Sequence, residues 1–279
     1  MATFEAVGPA FALDGPPPVA PPHSLLMTEG VVVERDATRV LNGVNVWGYP
    51  TDCASLWEPC LDGTFRIKDD ESEQPNVRFD SFVVYKAVTC SAMGLRDPQE
   101  LFDRAEAVLD ATVSAGIESA LAAGVDSSSN PFFGDSNVDI LNSGTAVSAK
   151  IGQSFLEEYL GTQCRQGMLH FTPAILTSLQ TWPVTTKDNT ELVSVNGTQV
   201  VSGMGYQGVD TAALSTPSAK EDWAFATGPV KVYMGPVRLD SVRENLDREI
   251  NLLTFRAERY VLAIWDTALQ GAVLVDWST

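Results

Sequence analysis

A chain of 279 residues, 44% apolar and 19% charged, can bury a large core as one elaborated domain or two small ones, and it is too apolar to be disordered by composition. Its 36 acidic against 18 basic residues, a formal net charge of −18, argue against a nucleic-acid-binding module, because neutralising phosphates needs clustered Lys and Arg and no basic run occurs. The mean hydropathy is +0.01, yet no apolar run approaches the roughly 18 residues that span a bilayer, so no membrane contact is expected and the surplus apolar surface points to other protein.

In chain order, residues 1–30 read as an arm. Pro9, Pro16, Pro17, Pro18, Pro21 and Pro22 deny it regular hydrogen-bonded structure, and a segment with so few ways to bury itself is expected to contact another subunit more than its own. Residues 31–61 alternate short strands and turns. Residues 62–90 read as a long hairpin, with an outward limb TFRIK, a polar tip from Asp69 to Asn76 and a return limb VRFDSFVVYKAV. Such a hairpin is not stable by itself.

A long helix is predicted over Asp97–Ala123, with Asp97 as cap, Pro98 in the first turn, Glu100 at the third position and Gly124 as stop. Leu101, Ala105, Val108, Thr112, Ile117 and Leu121 form its apolar face. At about 1.5 Å per residue it is roughly 39 Å long. After a loop rich in Ser, Asn and Gly, a second helix is predicted over Thr145–Leu160, with Val147, Ile151, Phe155 and Leu156 inward and Gly161 as stop. GMLHF reads as a strand, Thr172–Leu179 as a short helix, and Glu191–Ser202 as a hairpin turning at Asn196-Gly197. Two apolar runs close the chain, Tyr260–Trp265 and Ala272–Val275, and both read as strands covered on two faces.

The closing stretch RAERYVLAIWDTALQGAVLVDWST, with Glu258-Arg259 leading into an apolar strand, a turn and a final apolar run, resembles that of major capsid proteins of tailed phages, the Hong Kong 97-like family. The order of arm, long hairpin and long helix resembles the family as well. The resemblance implies an α+β fold with an N-terminal arm (1–30), a first part of a peripheral domain (31–61) and an extended loop (62–90). It further implies a peripheral part carrying a spine helix (91–143, helix 97–123), an axial domain (144–245), and closing strands (246–279) whose last member returns to the axial domain. Ile264 and Trp265 should then lie buried beside the spine, and Val273, Leu274 and Val275 within the axial sheet. The function implied is structural: pentamers and hexamers in an icosahedral virion shell, assembled in the host cytoplasm and enclosing double-stranded DNA without sequence-specific binding. A scaffolding protein, a portal and a decoration protein are the partners such a shell implies. An encapsulin nanocompartment shell has the same fold and is the alternative within it.

The alternative from another class is an NAD-dependent enzyme. GMGYQG, with Gly203, Gly205 and Gly208, is a literal G-x-G-x-x-G after the apolar strand TQVVS. A dinucleotide site would also need a helix starting inside the motif and a βαβ unit around it, and Pro217 leaves little room for one. The expected reading is a glycine-rich loop toward a five-fold or six-fold axis. His23 falls in the arm and His170 in an apolar strand, as a satisfied core residue. Cys53 and Cys60 lack partners for zinc, and Asp126, Asp135 and Asp139 lack EF-hand spacing. Asn196-Gly197-Thr198 matches a glycosylation acceptor but already serves as a turn. Lys68, near the hairpin tip, is the one lysine placed for the cross-linking some capsid proteins perform, but its acidic neighbours favour a solvated loop. With no secretory signal at the start of the chain, Cys53, Cys60, Cys90 and Cys164 are expected to be free thiols. No catalytic, cofactor-binding or metal-binding residue is assigned.

Overall fold

A computed structural model describes residues 16–35, 38–48, 76–91, 98–125, 129–179, 185–187, 191–239, 246–247 and 252–278. The outward limb and most of the tip of the expected hairpin, with Lys68, lie outside these residues, as do Cys53, Cys60 and Asp126. Strands β1 (Val32–Arg35), β2 (Val44–Trp47), β3 (Asn76–Phe79) and β4 (Phe82–Ser91) precede the longest helix, α1 (Pro98–Ala123). Strands β5 (Asp139–Ile140) and β6 (Val147–Ser148) lead to α2 (Ala149–Thr162), β7 (Met168–Phe171) and α3 (Pro173–Ser178). Then come β8 (Thr185–Lys187), β9 (Glu191–Val193), β10 (Gln199–Ser202), β11 (Glu221–Thr227), β12 (Lys231–Met234), β13 (Arg238–Leu239), β14 (Leu246–Asp247), β15 (Leu252–Ile264) and β16 (Gln270–Asp276).

Among the described residues these strands form two mixed sheets and a ribbon of β2 with β3. The six-stranded sheet runs β1-β12-β15-β13, with β4 and β14 also paired to the long β15. The eight-stranded sheet runs β5-β16-β11-β7-β10-β9-β8, with β6 also on β16. The chain passes from the eight-stranded to the six-stranded sheet between β11 and β12.

Helix α1 begins at Pro98, whose missing N–H suits a first helical position, and ends at Gly124, which has φ +84° and donates its N–H to the Ala120 carbonyl at 3.0 Å. Its fully buried stripe is Leu101, Ala105, Leu109, Val113, Ile117 and Leu121. Val108 and Thr112, expected inward, are only half-buried. Steps of four residues advance about 40° past a full turn, so the stripe winds round the helix. Leu101 meets Phe255 of the six-stranded sheet, whereas Ile117 and Leu121 join the large core that also holds Trp223 and Phe225 of the other sheet.

The closing strands behave as their composition requires. On β16, Ala272 and Leu274 enter the core shared with α1, while Val273 and Val275 enter a second core against α2 and α3. Both faces are therefore covered. Trp265, at the end of β15, is buried against Phe79 and Phe133, with ring centroids 5.0 and 5.1 Å away and edge-to-face geometry. Ile264 is only half-buried, packed against the large core at the border of an open groove.

Four other expectations need correction. Val147 and Ser148 extend the eight-stranded sheet beside β16 instead of starting α2. Gly152 brings α2 so close to β16 that a Cβ there would sit 2.7 Å from the Val275 methyl, and this orientation turns Ile151 outward, 49% exposed. Ser24 to Thr28 is no free arm: Leu25 is fully buried in the core of its own chain. Finally, Cys164 is disulfide-bonded, not free. Its partner's side chain lies outside the described residues, and sequence spacing does not tell which cysteines meet once the chain is folded.

Candidate functional site

In the last third of α1, Glu118 is fully buried. One carboxylate oxygen accepts the N–H of Leu25 at 2.9 Å and the hydroxyl of Ser114 at 3.0 Å; the other accepts the N–H of Gly205 at 3.0 Å. Leu26 donates its N–H to Ser114 Oγ at 3.2 Å, and the His23 carbonyl accepts from Ser202 N at 2.8 Å. One side chain thus joins the N-terminal segment, the long helix and the GMGYQG loop. Burial raises its pKa above the usual carboxylate value, and the backbone donors partly offset that rise. The sequence reading missed Glu118, although an acid one residue beyond Ile117 and four beyond Ser114, inside the apolar stripe, was a signal.

The GMGYQG loop owes its glycines to that contact. A Cβ on Gly205 would collide with the Ala115 carbonyl oxygen and lie 2.5 Å from the Ser119 nitrogen; one on Gly203 would meet the Glu118 carboxylate. Met204–Tyr206 is a single 3-10 turn, so no helix starts in the motif, and the N–H of Gly205 is already committed to a carboxylate. A pyrophosphate would find neither donors nor favourable charge there. The loop packs closely on the last third of α1, leaving Met204, Gln207 and Gly208 exposed.

His170 is satisfied in the core, as expected. Its Nδ1 lies 2.9 Å from Tyr206 Oη and its Nε2 2.8 Å from Thr227 Oγ1. The Thr227 hydroxyl donates to the Gly228 carbonyl at 2.9 Å, so Nε2 must donate to it and Nδ1 must accept from Tyr206. Complete burial pulls the imidazole pKa down to about 3, which keeps the ring neutral. Gln270 similarly fastens the loop after α1 to β16, donating from Nε2 to the carbonyls of Phe132 and Phe133 at 2.9 and 3.0 Å. Asn196-Gly197 makes the predicted hairpin turn, and Thr198 Oγ1 donates to Glu157 Oε2 at 2.8 Å.

The surface differs from this interior. The register of β4 with β15 places Val83, Tyr85, Ala87 and Thr89 on one face with Tyr260, Glu258, Arg256 and Thr254. Tyr85 is 59% exposed there, with the Arg256 guanidinium 5.4 Å from its ring centre, and Arg238 stands 4.8 Å from that of Tyr260. Trp47, 60% exposed, borders a groove of about 570 Å³ with Pro229, Lys231, Ile264 and the 2.7 Å ion pair of Arg165 with Asp266. Among the described residues no cluster of His, Cys, Asp and Glu could hold a metal ion, and no helix is long and apolar enough to cross a membrane.

No family model matches this sequence, and no curated protein matches it either. Solved structures match it from end to end. The capsid of a native GTA particle computed with C5 symmetry shares 13% identity over 97% of this chain and 95% of its own, with a TM-score of 0.55. The chain has the fold of a capsid subunit. The capsid of the empty GTA particle matches equally well, at 11% identity, 96% and 94% coverage and a TM-score of 0.55. A Mycobacterium phage Che8 chain matches at 12% identity over 99% of both chains, with a TM-score of 0.52. The phage-capsid resemblance read from the closing strands therefore holds at the level of the fold, where sequence similarity no longer registers.

Proposed function

We propose that this chain is the major capsid protein of a tailed-phage-like particle, assembling as pentamers and hexamers into an icosahedral shell around double-stranded DNA. The observation that carries this reading is the likeness to GTA capsid chains over 96 and 97% of this chain. In this reading α1 is the spine, the six-stranded sheet belongs to the peripheral domain, and the eight-stranded sheet forms the axial domain that crowds round the ring axes. Strands β12 and β13 then belong to the peripheral domain, and the axial domain runs from about 139 to 228 before β16 rejoins it. Residues 62–90 serve as the extended loop, and the arm is the part of the chain before Ser24. A chain of formal charge −18 lines a DNA container without gripping it, since containment needs no phosphate neutralisation.

No step of this function calls for catalysis. Each copy contributes a rigid body, held by the Glu118 junction and the two cores, and surfaces that neighbouring copies cover. The test is sedimentation of the purified chain over a range of concentration and ionic strength. The proposal expects fast-sedimenting closed particles in equilibrium with, or formed from, small rings. A 30.0 kDa monomer under every condition would sink it.

A further inference from the structure

A cavity of about 260 Å³ lies between the N-terminal segment, α1 and the six-stranded sheet. One water occupies about 30 Å³ in the liquid, so the cavity has room for a small polyatomic ligand and accompanying waters. Arg35, Arg259, Ser24, Ser114 and Asp110 are among its lining residues. Arg35 is in register with Met234, and Met234 with Val261; Val261 lies two residues beyond Arg259, so both arginines rise from the α1-facing side of the sheet.

Two buried polar atoms of these lining residues have no hydrogen-bond partner: Nε of Arg259 and Oγ of Ser24. The Arg259 side chain is 11% exposed, and its Nη2 lies 3.3 Å from Oδ1 of Asp110, whose own side chain is 52% exposed and shared with solvent. The Ser114 hydroxyl is already engaged by Glu118 and Leu26. A buried guanidinium N–H without an acceptor is costly, and an acceptor carrying negative charge satisfies it better than water does. The lining holds two guanidinium groups against one carboxylate, the reverse of the whole chain's balance of 18 basic to 36 acidic residues.

We propose that this cavity is a binding site for a small oxyanion, a phosphate or carboxylate group held between Arg35 and Arg259 and hydrogen-bonded to Ser24. Its occupancy would tie the N-terminal segment to the sheet. The chemistry can come from a free anion or from an acidic side chain of a second copy.

The test is calorimetric titration of the full-length unassembled chain with inorganic phosphate, against sodium chloride at matched ionic strength. Saturable binding is expected for phosphate alone. Arg35 is exposed at the end of β1, so Arg35→Gln should melt as the parent does without phosphate and bind phosphate at least about tenfold more weakly. Ser24→Ala should weaken binding less. Absence of saturable binding, or equal affinity in Arg35→Gln, would overturn the site and leave a water-filled cavity. Where particles form, phosphate binding lost on assembly assigns the site to a side chain of a second copy, and binding retained assigns it to a free anion; both support the oxyanion chemistry. The titration of the unassembled chain does not depend on shell formation, so the site and the shell proposal can fail separately.

Discussion

The two sheets of this molecule are built from similar strands and treated differently by the fold. The eight-stranded sheet is enclosed: Trp223 and Phe225 on β11 face the core shared with α1, and Ala224 and Ala226 on the same strand face α2 and α3. The six-stranded sheet is left open on one face where β4 pairs with β15. Phe255, Ala257 and Val261 face α1, while Tyr85, Arg256 and Thr89 remain at the surface. An enclosed sheet is a finished unit, whereas a partly open sheet with aromatic and cationic side chains on its open face suits a molecule completed by its neighbours.

The largest expected effect lies where the two sheets meet. Trp265→Ala removes an indole wedged against Phe79 and Phe133 and should destabilise the subunit by about 3–5 kcal/mol, measured by urea unfolding. That is a large share of a typical domain's stability, and insolubility of the variant fits the same account; an unchanged midpoint would not. Glu118→Ala comes next. It leaves the N–H groups of Leu25 and Gly205 buried without an acceptor and should cost about 3 kcal/mol, with hydrogen exchange accelerating at Leu25 and Leu26 ahead of global unfolding. Uniform protection at those amides would show that the N-terminal segment is held by something else.

Acidification gives a smaller effect with a defined sign. The His170 pKa is lowered from 6.5 to about 3 in the folded chain, so the unfolded chain takes up a proton that the folded chain refuses. Its contribution to stability is complete above pH 6.5 and falls by about 1.4 kcal/mol per pH unit below it, until the folded ring titrates near 3. Glu118 acts in the opposite direction: its raised pKa favours the neutral acid, so its contribution is complete below about 4.5 and is lost as pH rises through the elevated value. Urea midpoints of the parent and of His170→Gln at pH 7 and pH 5 separate the two, since the variant should lose the acid-side decline. A parallel decline in both proteins would remove His170 as its source. Least of all, Tyr85→Ala on the open face should change the unfolding free energy by less than about 0.5 kcal/mol while slowing particle formation seen by light scattering. A large loss of stability would mean that this face is not free in the single subunit.

The same contrast explains what could be read from the sequence. Elements whose signals are local were legible: α1 from Pro98 to Gly124, the hairpin at Asn196-Gly197, the short helix begun by Thr172-Pro173, and the double-faced burial of β16. The Glu118 junction was not, because its partners Leu25 and Gly205 are 93 and 87 residues away and no periodicity links them. Ile151 was placed inward because an apolar residue at helical spacing looks the same whether or not a neighbouring glycine has rotated the helix. The GMGYQG glycines were recognised as special, but sequence could not tell a close approach to a helix from a ligand loop. The arm was read as foreign to its own subunit because prolines advertise the absence of regular structure and are silent about burial; Ser24 and Leu25 are buried all the same.

The central claim, that this chain is one tile of a closed shell with its enclosed sheet around the ring axes, is tested most directly by electron cryomicroscopy of the assembled protein. The account predicts rings of five and six copies in an icosahedral shell, with β7, β10, β11 and β16 nearest the axes and the open face of β4 and β15 away from them. Particles without such rings, or rings in which the six-stranded sheet surrounds the axes, would contradict it.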